Sequence, residues 1–490
     1  MHARARGSHS SQPRPGGAFA QWTHRVKPKA PREEQSGFPA PGEAKPHPAV
    51  TGDLWEEFLS RENLAAALRR VEQNAGAPGV DGMQTQELRP WLHDHWLEVK
   101  ATLDAGTYRP QPTRRATIPK PSGGERELGV PTALDRVIQQ ALSQVLTPVF
   151  DPGFSERSFG FRPGRSAHQA VERARRDIAD GFEWAVDLDL DRFFDRVQHD
   201  ALMARVARRV ADKKVLKLIR SYLEAGVMAD GVRQSSEEGT PQGSPLSPLL
   251  SNVYLDDLDR MLTQRGHRFV RYADDITIYV ASKRASQRVM QSTSEFIEAR
   301  LKLRVNRKKS AVDHATRRTL LGFGFFKRGG EVKVRIDPKA RKRVKDRLRR
   351  LTSRSWGISM ERRIAAINRF SRGWSAYFAL ADTPSVFEEL DEWLRRRLRQ
   401  VRWKEWKKIR TKHRNLIATG IPDGKAYEWA NSRRGYWRVS GSWILTRGLP
   451  NAYWREQGLL GFTDPYCRFR DATRTAGCGP ARPVVWEGPG

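Results

Sequence analysis

Residues 186–195 read VDLDLDRFFD. Val186, Leu188 and Leu190 alternate with Asp187, Asp189 and Asp191, so an extended chain puts the apolar set on one face and three carboxylates on the other. Like charges at that spacing repel, and the face gains nothing from them unless a cation or basic partner neutralises it. A hard divalent ion such as Mg²⁺ suits oxygen donors of this kind. Residues 269–280 read FVRYADDITIYV, two apolar β-type runs around Ala273-Asp274-Asp275. They predict a hairpin whose turn displays two adjacent carboxylates. Taken singly, an Asp-Asp turn is ordinary solvated turn chemistry. Here two such segments occur in a chain that does not need acids for solubility, because 88 Lys and Arg face 56 Asp and Glu.

That imbalance, +32 over 490 residues, makes a field that attracts a polyanion over a long surface, and nucleic acid is the partner it predicts. The two cysteines, Cys467 and Cys478, exclude a disulfide scaffold and a Cys-x-x-Cys zinc staple, and fit a reducing cytoplasm. No apolar run approaches the roughly 20 residues needed to cross a bilayer, so no membrane partner is expected. The N-terminus lacks the apolar core of a secretory signal. Its first 50 residues hold eight prolines, and residues 1–52 read as a disordered basic arm.

Outward from the two acidic segments the chain divides by pattern. Ordered sequence begins near Asp53, where Leu64, Ala67, Leu68 and Val71 recur at helical spacing until the Gly-rich AGAPGVDG. Residues 53–335 mix short β-type runs with helices, an α+β region. Residues 336–412 are helical and basic: residues 341–410 hold 21 Lys and Arg against 8 Asp and Glu. A second helix there starts at Asp382-Thr383-Pro384, with acids early (Glu388, Glu389, Asp391) and bases late (Arg395, Arg396, Arg397, Arg399), the polarity the helix dipole prefers. Residues 413–490 are rich in Trp, Tyr, Arg and Gly and read as a small C-terminal domain. Aromatics interleaved with arginine, as in Arg402-Trp403 and Arg434-Gly435-Tyr436-Trp437, suit stacking on unpaired bases, although core packing is the commoner use of Trp.

The two acidic segments resemble motifs A and C of the palm domain of reverse transcriptases, with Tyr272-Ala273-Asp274-Asp275 as the hairpin tetrapeptide. The resemblance implies a catalytic and metal-binding triad of Asp189, Asp274 and Asp275. In that family the motif A aspartate lies five residues before an aromatic that closes the nucleotide pocket; Phe194 is five after Asp189, which selects Asp189 over Asp187 and Asp191. Four further blocks occur in order: NAGAPGVDG (74–82), IPKPSGGERELGVP (118–131), SFGFRPGRSAHQ (158–169) and GTPQGSPLSPLLSN (239–252). They resemble group II intron reverse transcriptase/maturases over most of residues 60–325.

What the resemblance implies is a right-hand polymerase, with fingers and palm carrying an antiparallel sheet and a helical thumb, called domain X in maturases. The chemistry would be RNA-templated DNA synthesis from dNTPs with two Mg²⁺ ions. Lys120 and Arg126 would fold over the triphosphate, Gln242 would line the nucleotide pocket beside Phe194, and Lys309 in VNRKKS would approach the active site. Leu321-Gly322-Phe323 resembles the primer-gripping turn. In AAINRFSRGWSAYF (365–378) and the residues before it, Arg362, Arg363, Arg369 and Arg372 would face RNA while Ile364, Ile367, Phe370 and Trp374 pack inward. The implied partners are a group II intron RNA, an RNA template and a DNA primer or target; a homodimer is left open. The chain lacks the Cys pairs and His-Asn-His residues of an HNH domain, so no second-strand cleavage is expected. Two rival readings stand beside this one: a splicing cofactor without polymerase activity, and a reverse transcriptase domesticated for defence or repair.

Overall fold

The strand read from VDLDL spans Trp184–Leu188 in the computed structural model, which describes residues 53–475 apart from 120–124, 230–231, 235–237 and 241–242. In chain order the strands are β1 (Thr113–Pro119), β2 (Glu125–Val130), β3 (Trp184–Leu188), β4 (Val227–Ala229), β5 (Val232–Gln234), β6 (Arg268–Tyr272), β7 (Asp275–Val280), β8 (Ala311–His314), β9 (Thr319–Leu320), β10 (Phe323–Arg328) and β11 (Glu331–Ile336). They form three sheets, ordered β2-β1-β4-β5, β6-β7-β3-β8 and β11-β10-β9. The central sheet is antiparallel throughout, with β3 between β7 and β8.

Period-two alternation along β3 gives each face of this sheet its own core. Val186 and Leu188 join the helices Ala133–Phe150, Ser247–Gln264 and Lys283–Arg300 in one cluster. Ala185, with Val270 and Tyr279 from the neighbouring strands, joins a second cluster. That second core runs from the helix Ala167–Ala179 through β10 and β11 into the basic helices Pro338–Leu351, Met360–Tyr377 and Pro384–Glu405. The Asp382-Thr383-Pro384 start falls where the pattern predicts, with Thr383 as N-cap and Pro384 as the first helical residue. Asp391, counted among the early acids, is buried: its oxygens accept the backbone N–H groups of Phe462 (2.7 Å) and Thr463 (3.0 Å). It thereby caps the start of the helix Thr463–Thr475. The C-terminal region is a run of short helices between Ile409 and Thr475.

The hairpin of β6 and β7 is pinned from below by a buried polar network. Arg271 is fully buried, as are Asp259 and Asn252 on the helix Ser247–Gln264. Its Nε donates to Asp259 Oδ1 at 2.8 Å, and its Nη1 donates to Asn252 Oδ1 at 2.8 Å and to the Ala273 carbonyl at 3.0 Å. Asn252 Nδ2 in turn donates to the Gly160 carbonyl at 2.9 Å. One guanidinium thus ties a strand, a helix and the hairpin turn together, and the amide of Asn252 extends the tie to the loop after Phe159. Removing one partner of a buried pair strands the other charge away from water, at about 3–5 kcal/mol. Asp259→Ala is expected to lower the unfolding free energy by that amount, read from the shift of a urea denaturation midpoint.

Candidate active site at the end of the central sheet

Leu188 pairs with Ile276 and Tyr272 pairs with Asp275. Continued by one residue, the β3–β7 register sets Asp189 opposite Asp275, with Asp274 beside it in the turn. The three carboxyl-bearing residues of the expected triad therefore come to one end of one sheet. The end of β3 is fixed by the loop before β8. Asp189 N–H donates to Ser310 Oγ at 3.0 Å, Asn306 N–H donates to the Asp189 carbonyl at 2.8 Å, and Asp191 N–H donates to the Arg304 carbonyl at 2.8 Å.

The three aspartates of the strand have different partners. Asp187 accepts from Thr277 Oγ1 at 2.8 Å and pairs with the Arg318 guanidinium. Burial pushes its carboxyl above the usual carboxylate range, with Arg318 and Thr277 pulling the other way. Asp191 pairs with Arg196 at 2.9 Å. Asp189 instead meets the exposed ammonium of Lys309, 3.5 Å from its Oδ2, a mobile point charge rather than a fixed fork.

The turn itself is strained. Ala273 has φ of +58°, a region that costs an L-residue about 1–2 kcal/mol. Gly160 explains how the turn is held: a Cβ on it would lie 2.2 Å from Ala273 N and 2.8 Å from the Tyr272 carbonyl carbon. The SFGFRPG block thus rests its backbone directly on the turn, and Phe159 N–H donates to the Arg271 carbonyl at 2.9 Å. Gly160→Ala is expected to push the turn away from this loop and to lower stability by about 1–3 kcal/mol, measured by denaturant unfolding.

Phe194 follows on a short 3₁₀ turn, Phe193–Asp195. Phe193 is buried in the core, whereas Phe194 is half-buried and lies edge-on against it, ring centroids 5.1 Å apart. The backbone of Phe194 is met by the GTPQG block, whose Thr240 N–H donates to the Phe194 carbonyl at 2.6 Å. Gln242 and Lys120 lie outside the described residues; Arg126 pairs with Ile118 in the β1–β2 hairpin. Among the described residues no set of three or more His, Cys, Asp or Glu side chains converges closely enough to hold a metal ion. The donor chemistry at the sheet end, carboxylate oxygen throughout, nevertheless suits a hard divalent cation.

In the helical region Arg362, Arg369 and Arg372 are exposed on the helix Met360–Tyr377. Arg363 is not with them. It is 2% exposed, and its Nη1 donates to the carbonyls of Leu351 at 2.8 Å and Ser353 at 3.1 Å. The carbonyls left unpaired at the end of the helix Pro338–Leu351 attract a cation, so this arginine is a cap rather than an RNA contact. Trp403 likewise lies in the core, 2% exposed against Trp406, and offers no face to a base. The Leu321-Gly322 turn joins β9 to β10 and is held from the helical side, where Tyr377 OH donates to the Leu321 carbonyl at 2.9 Å. Sequence reading did not single out Ser310, Arg318 or the Arg271 network. Arg271, Ser310, Asn252 and Gly160 lie in stretches it had quoted, whereas Asp259 and Arg318 do not.

Residues 118–325 match the family Reverse transcriptase (RNA-dependent DNA polymerase), and residues 341–418 match the Group II intron, maturase-specific domain. The chain is 32% identical over 293 residues to protein YkfC of Escherichia coli, covering 52% of this chain and 77% of that one. It is 30% identical over 355 residues to the group II intron-encoded protein LtrA of Lactococcus lactis, covering 58% and 59% respectively. An uncharacterized 91 kDa protein in a cob intron of Schizosaccharomyces pombe is 31% identical over 243 residues, 49% of this chain and 29% of its own length. A reverse-transcriptase domain that carries a strained two-aspartate hairpin, followed by a maturase-specific helical domain, places the chain in the family of group II intron-encoded reverse transcriptases/maturases.

Proposed function

We propose that this protein is an RNA-directed DNA polymerase that also binds its own group II intron RNA to assist splicing, and that supports intron mobility by target-primed reverse transcription. The observation that carries the reading is the β3–β7 register, which brings Asp189, Asp274 and Asp275 to one sheet end, with Lys309 beside Asp189. Asp189, Asp274 and Asp275 would hold Mg²⁺. Two such ions, when bound, supply the charge that activates a primer 3′-hydroxyl and offsets the leaving pyrophosphate.

The remaining roles belong to the chain's own side chains. Phe194 walls the sugar side of an incoming dNTP with Gln242 beside it, and Lys120, Arg126 and Lys309 contribute cations for its phosphates. Arg362, Arg369 and Arg372 face RNA phosphates from the helical thumb, holding structured RNA by shape and charge rather than by duplex sequence. Fingers and palm would occupy 53–335, the thumb 336–412 and a small DNA-binding module 413–490, after an arm at 1–52 that lies outside the described residues.

Primer extension on an RNA template with Mg²⁺ and dNTPs, alongside filter binding to the same RNA, tests this reading. Asp274→Asn is expected to abolish extension and leave RNA affinity within about twofold, because a single half-buried acid adds little to a phosphate-dominated interface. Tight RNA binding with no extension by the intact protein would instead favour a splicing cofactor. If Phe194 excludes the ribose 2′-hydroxyl, Phe194→Ala should raise ribonucleotide incorporation by about tenfold or more, measured by alkali-sensitive cleavage of the product.

A further inference from the structure

The backbone of Glu238, Gly239 and Thr240 is laid on the Phe194 turn through one antiparallel bridge and two hydrogen bonds. Gly239 N–H donates to the Val197 carbonyl at 2.8 Å, Thr240 N–H donates to the Phe194 carbonyl at 2.6 Å, and Glu238 bridges to Gln198. The fit is close. Gly239 has φ of +100°, and a Cβ on it would lie 3.1 Å from the Phe194 carbonyl oxygen and 3.2 Å from Asp195 Cα. The far end of the same loop is held by the Ser244 hydroxyl, which hydrogen-bonds the buried Gln139 side chain.

At the near end a side chain does the same work. His199 opens the helix His199–Ala207 and is buried, with Nε2 2.7 Å from the Gly239 carbonyl oxygen. A carbonyl can only accept, so Nε2 carries the proton. The imidazole grips the backbone one residue before Thr240. A pairing this short can shift, and a shift would move Phe194 and the Gly239–Thr240 backbone relative to each other.

We propose that His199 is a positioning residue for the nucleotide pocket: its Nε2–H hydrogen bond to Gly239 sets the spacing between the Phe194 turn and the Gly239–Thr240 backbone laid against it. The inference rests on the polymerase reading above. It assigns His199 to nucleotide affinity and sugar discrimination and not to the chemical step, because the contact it governs is made equally in the ground state and the transition state.

Steady-state single-nucleotide extension by the full chain tests it. For His199→Leu, the KM for dNTP is expected to rise about tenfold, the factor a lost buried hydrogen bond commands, with kcat within about twofold and a several-fold rise in ribonucleotide incorporation. His199→Gln, whose amide N–H reaches the Nε2 position, is expected to restore KM; His199→Asn, which is too short, is not. A merely structural role reads differently: a lower thermal midpoint and fewer active molecules reduce apparent kcat at unchanged KM, equally in the Gln and Asn variants, and that pattern overturns the proposal. Should His199→Leu fail to fold, the Gln and Asn pair decides alone: separated KM values support the proposal and identical ones overturn it. An intact protein that extends nothing sinks the polymerase reading and this inference together, whereas normal extension with KM unmoved in every variant sinks this inference only.

Discussion

Everything at the sheet end depends on the buried contact between Arg271 and Asp259, both fully shielded from water. The hairpin they support carries a non-glycine residue at positive φ and two adjacent acids, and a third acid stands across from it on β3. Neither the backbone strain nor the mutual repulsion favours that arrangement, so the surroundings must over-determine it. The guanidinium does so by spending its fork on four groups: two carboxylate oxygens, the Asn252 amide and the Ala273 carbonyl. A lysine could not replace it, since a point charge on a flexible stem fixes no plane. Charge pairing in a dry interior is costly by itself, and what it gives in return here is geometric: the turn has one position.

Much of this was legible before any coordinates. The VDLDL strand and the YADD hairpin could be read because their signals are local: alternation of period two and two apolar runs around a short polar turn leave few other foldings. The basic helix with Pro384 at its start was readable for the same reason. The network beneath the hairpin was not. Apart from the Ala273 carbonyl, its hydrogen-bonded partners lie 12 to 92 residues apart in sequence, and nothing about a single Arg, Asp or Asn announces a partner at that distance. Arg363 shows the opposite failure. Periodicity places it beside Ile364 on the helix Met360–Tyr377, but composition favoured an outward cation, and only the end of a neighbouring helix explains why a guanidinium points inward. Trp403 was ambiguous in the same way, since an Arg-Trp pair is common to stacking surfaces and to cores.

The distribution of the charge is as informative as its size. Arginines are matched to acids along the chain: Arg205 and Arg208 share Asp257, Arg260 pairs with Asp256, and Arg341 pairs with Glu389. Many also lie over rings, as Arg205 does over Tyr254 at 4.7 Å, and the same contact recurs beyond residue 340. Arg354 covers Tyr436 at 4.7 Å, Arg396 covers Trp437 at 4.1 Å and Arg434 covers Trp429 at 5.2 Å. A ring face orients a guanidinium without cancelling its charge. Residues 341–410 alone contribute 21 − 8 = +13, so the field that draws in a polyanion is concentrated on the maturase-specific helices.

The central sheet and the basic helices share the second core: Phe323, Phe378 and Tyr377 fill the space between the β9–β10 turn and the end of the helix Met360–Tyr377. Asp187, the strand acid set deeper in the sheet, takes a fixed arginine. Asp189, at the open end, is paired among the described residues with the ammonium of the exposed Lys309, on a stem long enough to swing away. The gradient along this stretch, from an acid held by a guanidinium fork to one held loosely by an ammonium, is the arrangement the proposed cation site would need.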